Sequence, residues 1–328
     1  MVCNISMKKS GILTTGILTA LLVGGSIHEG LAQRRQNTRF IPYSEVGLGV
    51  GTSTYYGDLA GYRRVLRATY VMPRWNVGGF YTRHFTPNFS ARASFTWARI
   101  SGDDYTFNKN DPERYAAQFV RNLHFRNDLK EFAVTGMYNF IANGRNSQRR
   151  PKWQPYAFGG LALLAHSPEA RLPIPNPDEG VQEWVKLQPL NTEGQGIVPD
   201  TRPYSLVTLA IPLGIGVRYR LNDDFNIGAE IGYRYTFNDY LDDVGGNYPP
   251  PGALTGVALQ MTDRRLEPVA ARKGEPRADV LQQIDQNVTP VLSVIERGAR
   301  GRLQDSYLLT NISIHYVIPA KIKCPPIK

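Results

Sequence analysis

Eight segments of this 328-residue chain alternate apolar residues with small or polar ones at a period of two, and this repeat limits the fold more than any other feature. Side chains of a strand point to opposite faces in turn, so each run is a strand with one apolar and one polar face. In "EVGLGVGTSTYY" (45–56), Val46, Leu48 and Val50 alternate with Glu45, Gly47, Gly49 and Gly51. Trp75, Val77, Gly79, Tyr81 and Phe85 share a second face. Phe89, Ala91, Ala93, Phe95 and Trp97 share a third, one tight turn later. Phe132, Val134, Tyr138 and Phe140 mark a fourth strand, and "QPYAFGGLALLA" (154–165) a fifth. Leu213, Ile215, Val217 and Tyr219 mark a sixth, with Pro212 expected at its outer end because proline removes a ladder hydrogen bond. The seventh runs from Phe225 to Phe237, and the eighth holds Thr310, Ile312, Ile314, Tyr316 and Ile318.

A soluble sandwich turns its polar face to water, whereas a membrane barrel turns its apolar face to lipid and pairs charges inside. The connections separate the two. Those after strands two, four and six are short ("TPN", "ANGRNSQRRPKW", "LNDD"). Those after strands one, three, five and seven are long (about 57–74, 101–128, 166–203 and 238–304). Outer-membrane barrels alternate in this way, with short periplasmic turns and long extracellular loops. Aromatic residues at strand ends (Tyr55, Tyr56, Trp75, Trp97, Trp153, Tyr235, Phe237) suit interface girdles. The expected fold is an all-β, eight-stranded antiparallel transmembrane β-barrel over residues 33–318, with a secreted β-sandwich as the competing architecture.

A barrel of this size is filled by its own side chains. Glu45, Arg92, Glu131, Arg218, Glu230 and Arg234 fall on the inward faces, three of each sign, and are the candidate salt-bridge network of the lumen. His84 and His315 also fall on inward faces, where hydrogen bonding in the interior is favoured over a catalytic pair. His124 and His166 are scattered, and no Ser–His–Asp order or metal spacing emerges.

The N-terminus reads as a signal peptide over 1–32. Lys8 and Lys9 precede the apolar run "GILTTGILTALLVGG", and small residues Gly30 and Ala32 stand before a cleavage site at Gln33. Cleavage takes away two lysines and one glutamate, lowering the net charge from +10 to +9. A basic exported chain suits anionic surfaces such as the lipid bilayer and lipopolysaccharide, and nucleic acid is an unsuitable partner. Cys3 lies in the signal, so Cys324 remains alone and no internal disulfide is possible. Residues 319–328 form a tail.

The longest loop opens with "DYLDDVGGNYPPPG" (239–252). Asp239, Asp242 and Asp243 lack the spacing and terminal Glu of a calcium loop, and serve better as turn-holding acceptors at the loop base, or as partners of loop arginines. A surface cation site is the lesser reading. Further on, Leu281, Ile284, Val288, Val291 and Ile295 recur at helical spacing, which predicts a helical segment over 278–298 broken or restarted at Pro290. Its apolar stripe has two readings: packing within the loop, or packing on the rim or another protein. "TEGQG" (192–196) lacks the Lys and the context of a phosphate loop. No cofactor is expected.

Five stretches, "FRNDLKEFAVTGMYNF" (125–140), "PYAFGGLALLAHSPEA" (155–170), "PLNTEGQG" (189–196), "GIGVRYRL" (214–221) and "DYLDDVGGNY" (239–248), resemble the PorG family, outer-membrane barrels of the type IX secretion system of Bacteroidetes. The resemblance runs from about Glu45 to Tyr248 and resumes in the last strand; 253–304 carries none of it. It implies a non-enzymatic barrel subunit that ties a periplasmic ring, built by a lipoprotein and its partner, to the outer membrane. A ring on that side would meet the short turns and the tail. Arg145, Arg149, Arg150 and Lys152 are then the candidate contacts. The alternatives are a surface adhesin or ligand-binding barrel acting through its loops and, less favoured, an outer-membrane acyltransferase or protease.

Overall fold

The computed structural model describes residues 40–60, 65–173, 183–298 and 304–318. The expectations for the signal peptide, Cys3, Cys324 and the tail 319–328 lie outside them. Ten strands form one antiparallel sheet: β1 (Tyr43–Tyr56), β2 (Arg74–His84), β3 (Phe89–Asp103), β4 (His124–Asn139), β5 (Trp153–Ala165), β6 (Pro168–Arg171), β7 (Trp184–Lys186), β8 (Val207–Arg220), β9 (Phe225–Thr236) and β10 (Ser306–Ile318). Their order is β3-β2-β1-β10-β9-β8-β5-β4-β6-β7, and β3 pairs back onto β4. Eight strands therefore close into a barrel with no free edge, while β6 and β7 extend β4 beyond the wall.

Alternation decides which residues meet lipid. Leu48, Val50, Phe95, Phe132, Val134, Leu161, Ile215 and Ile312 are exposed on the outside, and the inward neighbours of each are wholly or partly buried. Of the expected girdle, Trp75, Trp97, Trp153, Tyr235 and Phe237 are exposed. Tyr55 and Tyr56 are not: both are buried beneath the outer loops, because the strands run on past the lipid band.

The outer strands are longer than the sequence pattern indicates. β3 continues to Asp103 and β4 begins at His124, so the connection expected at 101–128 shrinks to 104–123. Pro212 sits well within β8 rather than at its outer end. The β5–β8 ladder pairs Gly159 with Leu213 and resumes at Ala162 with Ala210, skipping the stretch where Pro212 offers no N–H.

The long connections fold into a cap over the outer mouth. They carry α1 (Val65–Val71), α2 (Asp104–Asn108), α3 (Ala116–Arg121), α4 (Gly256–Thr262) and α5 (Ala278–Asn287). One apolar core joins the barrel mouth to the cap through Leu59, Ile100, Phe125, Leu129, Leu164, Leu241 and Leu309. Each such fully buried side chain contributes about 1.5–3 kcal/mol. A second core packs Leu281, Ile284 and Val291 on Phe119 and Val120. The stripe of the last loop thus packs within the cap, except for Val288 and Ile295, which are exposed. The helix is shorter than 278–298: α5 stops at Asn287, and one 3-10 turn (Val291–Ser293) follows Pro290, which has no N–H to continue the ladder.

Candidate functional site

The six inward charges form three ion pairs. Arg218 of β8 donates to Glu45 of β1 at 3.2 Å; Arg92 donates to Glu230 at 2.5 Å; Arg234 approaches Glu131 at 3.4 Å. Further side-chain donors join the carboxylates. Tyr156 donates to Glu230, and Tyr307 donates to Glu131 at 2.5 Å. Asn226 donates to the other oxygen of Glu45 at 3.1 Å. Space for these large groups comes from glycine. A Cβ on Gly216 would stand 2.5 Å from the Tyr156 ring.

His84 and His315 converge on the same glutamate: His84 Nε2 lies 3.3 Å, and His315 Nδ1 3.1 Å, from Glu45 oxygens. Ser313 Oγ lies 3.0 Å from His315 Nε2. Serine, histidine and carboxylate therefore stand in the hydrogen-bond order of a nucleophilic triad. The space around them is small. Ser313 borders a cavity of only about 40 Å³ inside the barrel, together with Arg92, Glu230, Arg234 and Asn311. That is room for a few water molecules, not for an acyl or peptide substrate. Glu45 and His315 are fully buried. The arrangement is a polar plug.

A second polar constellation holds the cap to the barrel. Tyr55 Oη lies 2.6 Å from a carboxylate oxygen of Asp242 and 2.6 Å from one of Asp305. A phenol has one proton, so it serves only one of the two as donor; the other contact requires a proton on the carboxyl. Burial, first, and the charges of neighbouring aspartates push both carboxyls well above their ordinary range. The second oxygens accept backbone N–H groups, Val244 for Asp242 and Leu241 for Asp305. Asp239, half-buried in the same turn, adds its charge to the field at Asp305. Gly57 is required here, since a Cβ would stand 1.8 Å from Tyr55 Oη and 2.2 Å from Asp305 Oδ1.

Asp243 anchors a knot between two loops. In a left-handed conformation (φ 68°), it accepts hydrogen bonds from Thr192 at 2.5 Å, Tyr204 at 2.7 Å and Arg297 at 3.3 Å. Glu193 accepts the N–H groups of Gly245 and Gly246 and the Arg297 guanidinium. "PLNTEGQG" and "DYLDDVGGNY", far apart in the chain, are thus the two halves of one buried knot. Arg297, Tyr55 and Asp305 carry no local sequence signal for this role. Only the pairing of the two motifs hints at it. Among the described residues no group of three or more His, Cys, Asp or Glu side chains is arranged to hold a metal ion.

At the opposite end, Arg145, Arg149 and Lys152 are exposed on the turn between β4 and β5. Arg150 is not a surface contact. It is buried, and its guanidinium donates to the carbonyls of Ser147, Asn222 and Asp223, stitching two turns together.

A closed eight-stranded barrel with an apolar outside, a plugged charged interior and short turns on one side is a transmembrane β-barrel protein of the outer membrane. A family model described as outer membrane protein beta-barrel domain matches residues 17–249, and the chain belongs to that family. No curated protein matches the sequence. Among solved structures it is similar to Neisserial surface protein A (8% identity, 83% of this chain and 96% of that one, TM-score 0.35). It is also similar to OprG from Pseudomonas aeruginosa (9% identity, 86% and 98%, TM-score 0.34) and to a major outer membrane protein from Thermus thermophilus (9% identity, 84% and 99%, TM-score 0.37).

Proposed function

We propose that this chain is a non-enzymatic structural subunit of a type IX secretion machine, a PorG-like barrel that fastens a periplasmic lipoprotein ring to the outer membrane. One observation carries the reading: "PLNTEGQG" and "DYLDDVGGNY", two of the five stretches that carry the resemblance, are spent on a buried structural knot, and the lumen is plugged by three ion pairs. Such a barrel works as a rigid anchor rather than a conduit. The periplasmic rim supplies the contact surface. Arg145, Arg149 and Lys152 are exposed there beside Arg83 and Arg220, against Asp223 and Asp224 as counter-charges. That excess suits an acidic partner face. Crosslinking followed by affinity pull-down of the tagged chain is expected to recover the lipoprotein ring, and deleting the gene is expected to stop export of secreted cargo. A normal secretome in the deletion strain would sink the proposal.

A second reading is a surface adhesin. It is favoured by the exposed Leu266, Leu292 and Ile295 of the cap. Serine at all three positions would then abolish attachment and leave secretion intact.

A further inference from the structure

The outward residues just beyond the lipid band are not alike around the barrel. On β1 the residue is Thr52, on β10 Thr310 and Leu308, on β8 Val207 and on β5 Ala165. On β3 and β4 they are cationic. Past Trp97 comes Arg99, and past Phe132 comes Lys130, followed by Asp128 and Arg126. The hairpin β6–β7 continues that surface. Arg126 pairs in register with Glu169 and Glu169 with Lys186, so the three share one face. Arg171, two residues from Glu169, joins it, and the guanidinium groups of Arg126 (3.9 Å) and Arg171 (5.2 Å) both lie over the Trp184 ring. Five cations face two anions, a surplus of three.

Two of the cations are already held. Arg99 makes a two-point contact with Asp128 at 2.5 and 2.7 Å, and Arg126 meets Glu169 at 2.9 Å. Lys130 and Lys186 are exposed, and neither forms an ion pair among the described residues. Below Lys130, on the same two strands, lie Phe95, Trp97, Phe132 and Val134, an apolar wall for acyl chains. A lysine ammonium just above an apolar wall, amid a surplus of positive charge, matches a lipid that carries phosphate at its headgroup.

We propose that the outer face of β3, β4, β6 and β7 binds a phosphorylated glycolipid of the outer leaflet, of the lipid A type, with Lys130 and Lys186 taking its phosphates and Phe95, Trp97 and Phe132 its acyl chains. The site lies on one side of the barrel, so lipid is held in a fixed place rather than as a uniform annulus. This inference depends on the extracellular position of the long loops and not on a secretion role.

The test is native mass spectrometry of the full chain, extracted in mild detergent, delipidated, and titrated with bis-phosphorylated lipid A, with dephosphorylated lipid A, and with bis-phosphorylated lipid A in excess inorganic phosphate. Bis-phosphorylated lipid A is expected to bind the wild type, dephosphorylated lipid A at least about tenfold more weakly, and inorganic phosphate at millimolar excess is expected to compete poorly. Lys130→Glu with Lys186→Glu is expected to weaken binding at least about tenfold. Arg149→Glu with Lys152→Glu, the same charge change at the periplasmic rim, is expected to leave it unchanged. Heat-modifiable gel migration verifies that each barrel is folded; if the glutamate pair misfolds, Lys130→Gln with Lys186→Gln replaces it. Equal loss in the two paired variants would overturn the proposal, as would equal binding of dephosphorylated lipid A or full displacement by inorganic phosphate.

Discussion

Arg218 and Glu45 meet at 3.2 Å across the hollow of the barrel, not along its wall, because β9 and β10 stand between their strands. The bond therefore braces the barrel as a strut. Neither side chain reaches solvent to any extent. Breaking such a pair leaves a buried charge without its partner, at a cost of about 3–5 kcal/mol, whereas replacing both partners with apolar residues is often neutral. Glu45→Ala is expected to destabilise the barrel by about that amount, and Glu45→Leu with Arg218→Met to recover most of it. Urea unfolding in lipid vesicles, read by fluorescence of the lipid-facing tryptophans, measures both.

The two carboxyls held on Tyr55, those of Asp242 and Asp305, make the cap sensitive to pH. Burial raises the folded-state pKa of both carboxyls above the ordinary 3.8. Between that value and the raised one, the folded cap binds more protons than the unfolded loop, so its stability declines as pH rises. The contribution is complete below 3.8 and is lost as pH passes upward through the folded pKa. Hydrogen exchange of residues 239–246 is expected to speed up on raising the pH beyond the intrinsic chemical dependence. Asp242→Asn, which supplies a permanent donor to the Tyr55 oxygen, is expected to remove that excess. An unchanged excess in the variant would exclude the Asp242 carboxyl as its source.

The transmembrane part is legible in the sequence because lipid enforces a rule on every strand. Leu48, Phe95 and Ile215 face outward because alternation leaves no other choice, and the same parity sends Glu45, Arg92 and Glu230 inward. The cap obeys no such rule. β6 and β7 are four and three residues long, too short for a periodic signal. Tyr55 resembles a girdle residue because its strand end gives no sign of the loops folded over it. Arg150 resembles its exposed neighbours, yet three carbonyls from two turns converge on it. Contacts between loops distant in the chain decide these positions, and local pattern does not report them.

Arg297 ties Glu193 of one loop to Asp243 of the other, donating also to the Asp243 carbonyl at 2.5 Å. Arg297→Ala leaves two buried carboxylates short of their cation and is expected to loosen the cap while the barrel stays closed. Protease added to intact cells is expected to cut within 183–206 and 239–250 at least about tenfold faster than in the wild type, an order-of-magnitude figure from the cost of an unpaired buried charge. Heat-modifiable migration is expected to be unchanged. Arg297→Lys is expected to rescue only in part, since one ammonium cannot span both carboxylates and the carbonyl as the guanidinium fork does.

Ser313, His315 and Glu45 give the sharpest contrast between hydrogen-bond order and function. The two contacts, 3.0 and 3.1 Å, are those of an activated serine. Activation also needs a reachable carbonyl and an open approach, and the neighbouring cavity of about 40 Å³ offers neither. Arg218 competes for the same Glu45 oxygen that His315 contacts, so the carboxylate is engaged in holding the plug. A fluorophosphonate probe is expected to label the folded barrel in vesicles no faster than it labels Ser313→Ala. Ser313→Ala is expected to cost only about 0.5–1.5 kcal/mol of stability, the worth of one ordinary hydrogen bond. Labelling that depends on Ser313 in the folded chain would show that the lumen opens and would restore the enzymatic alternative.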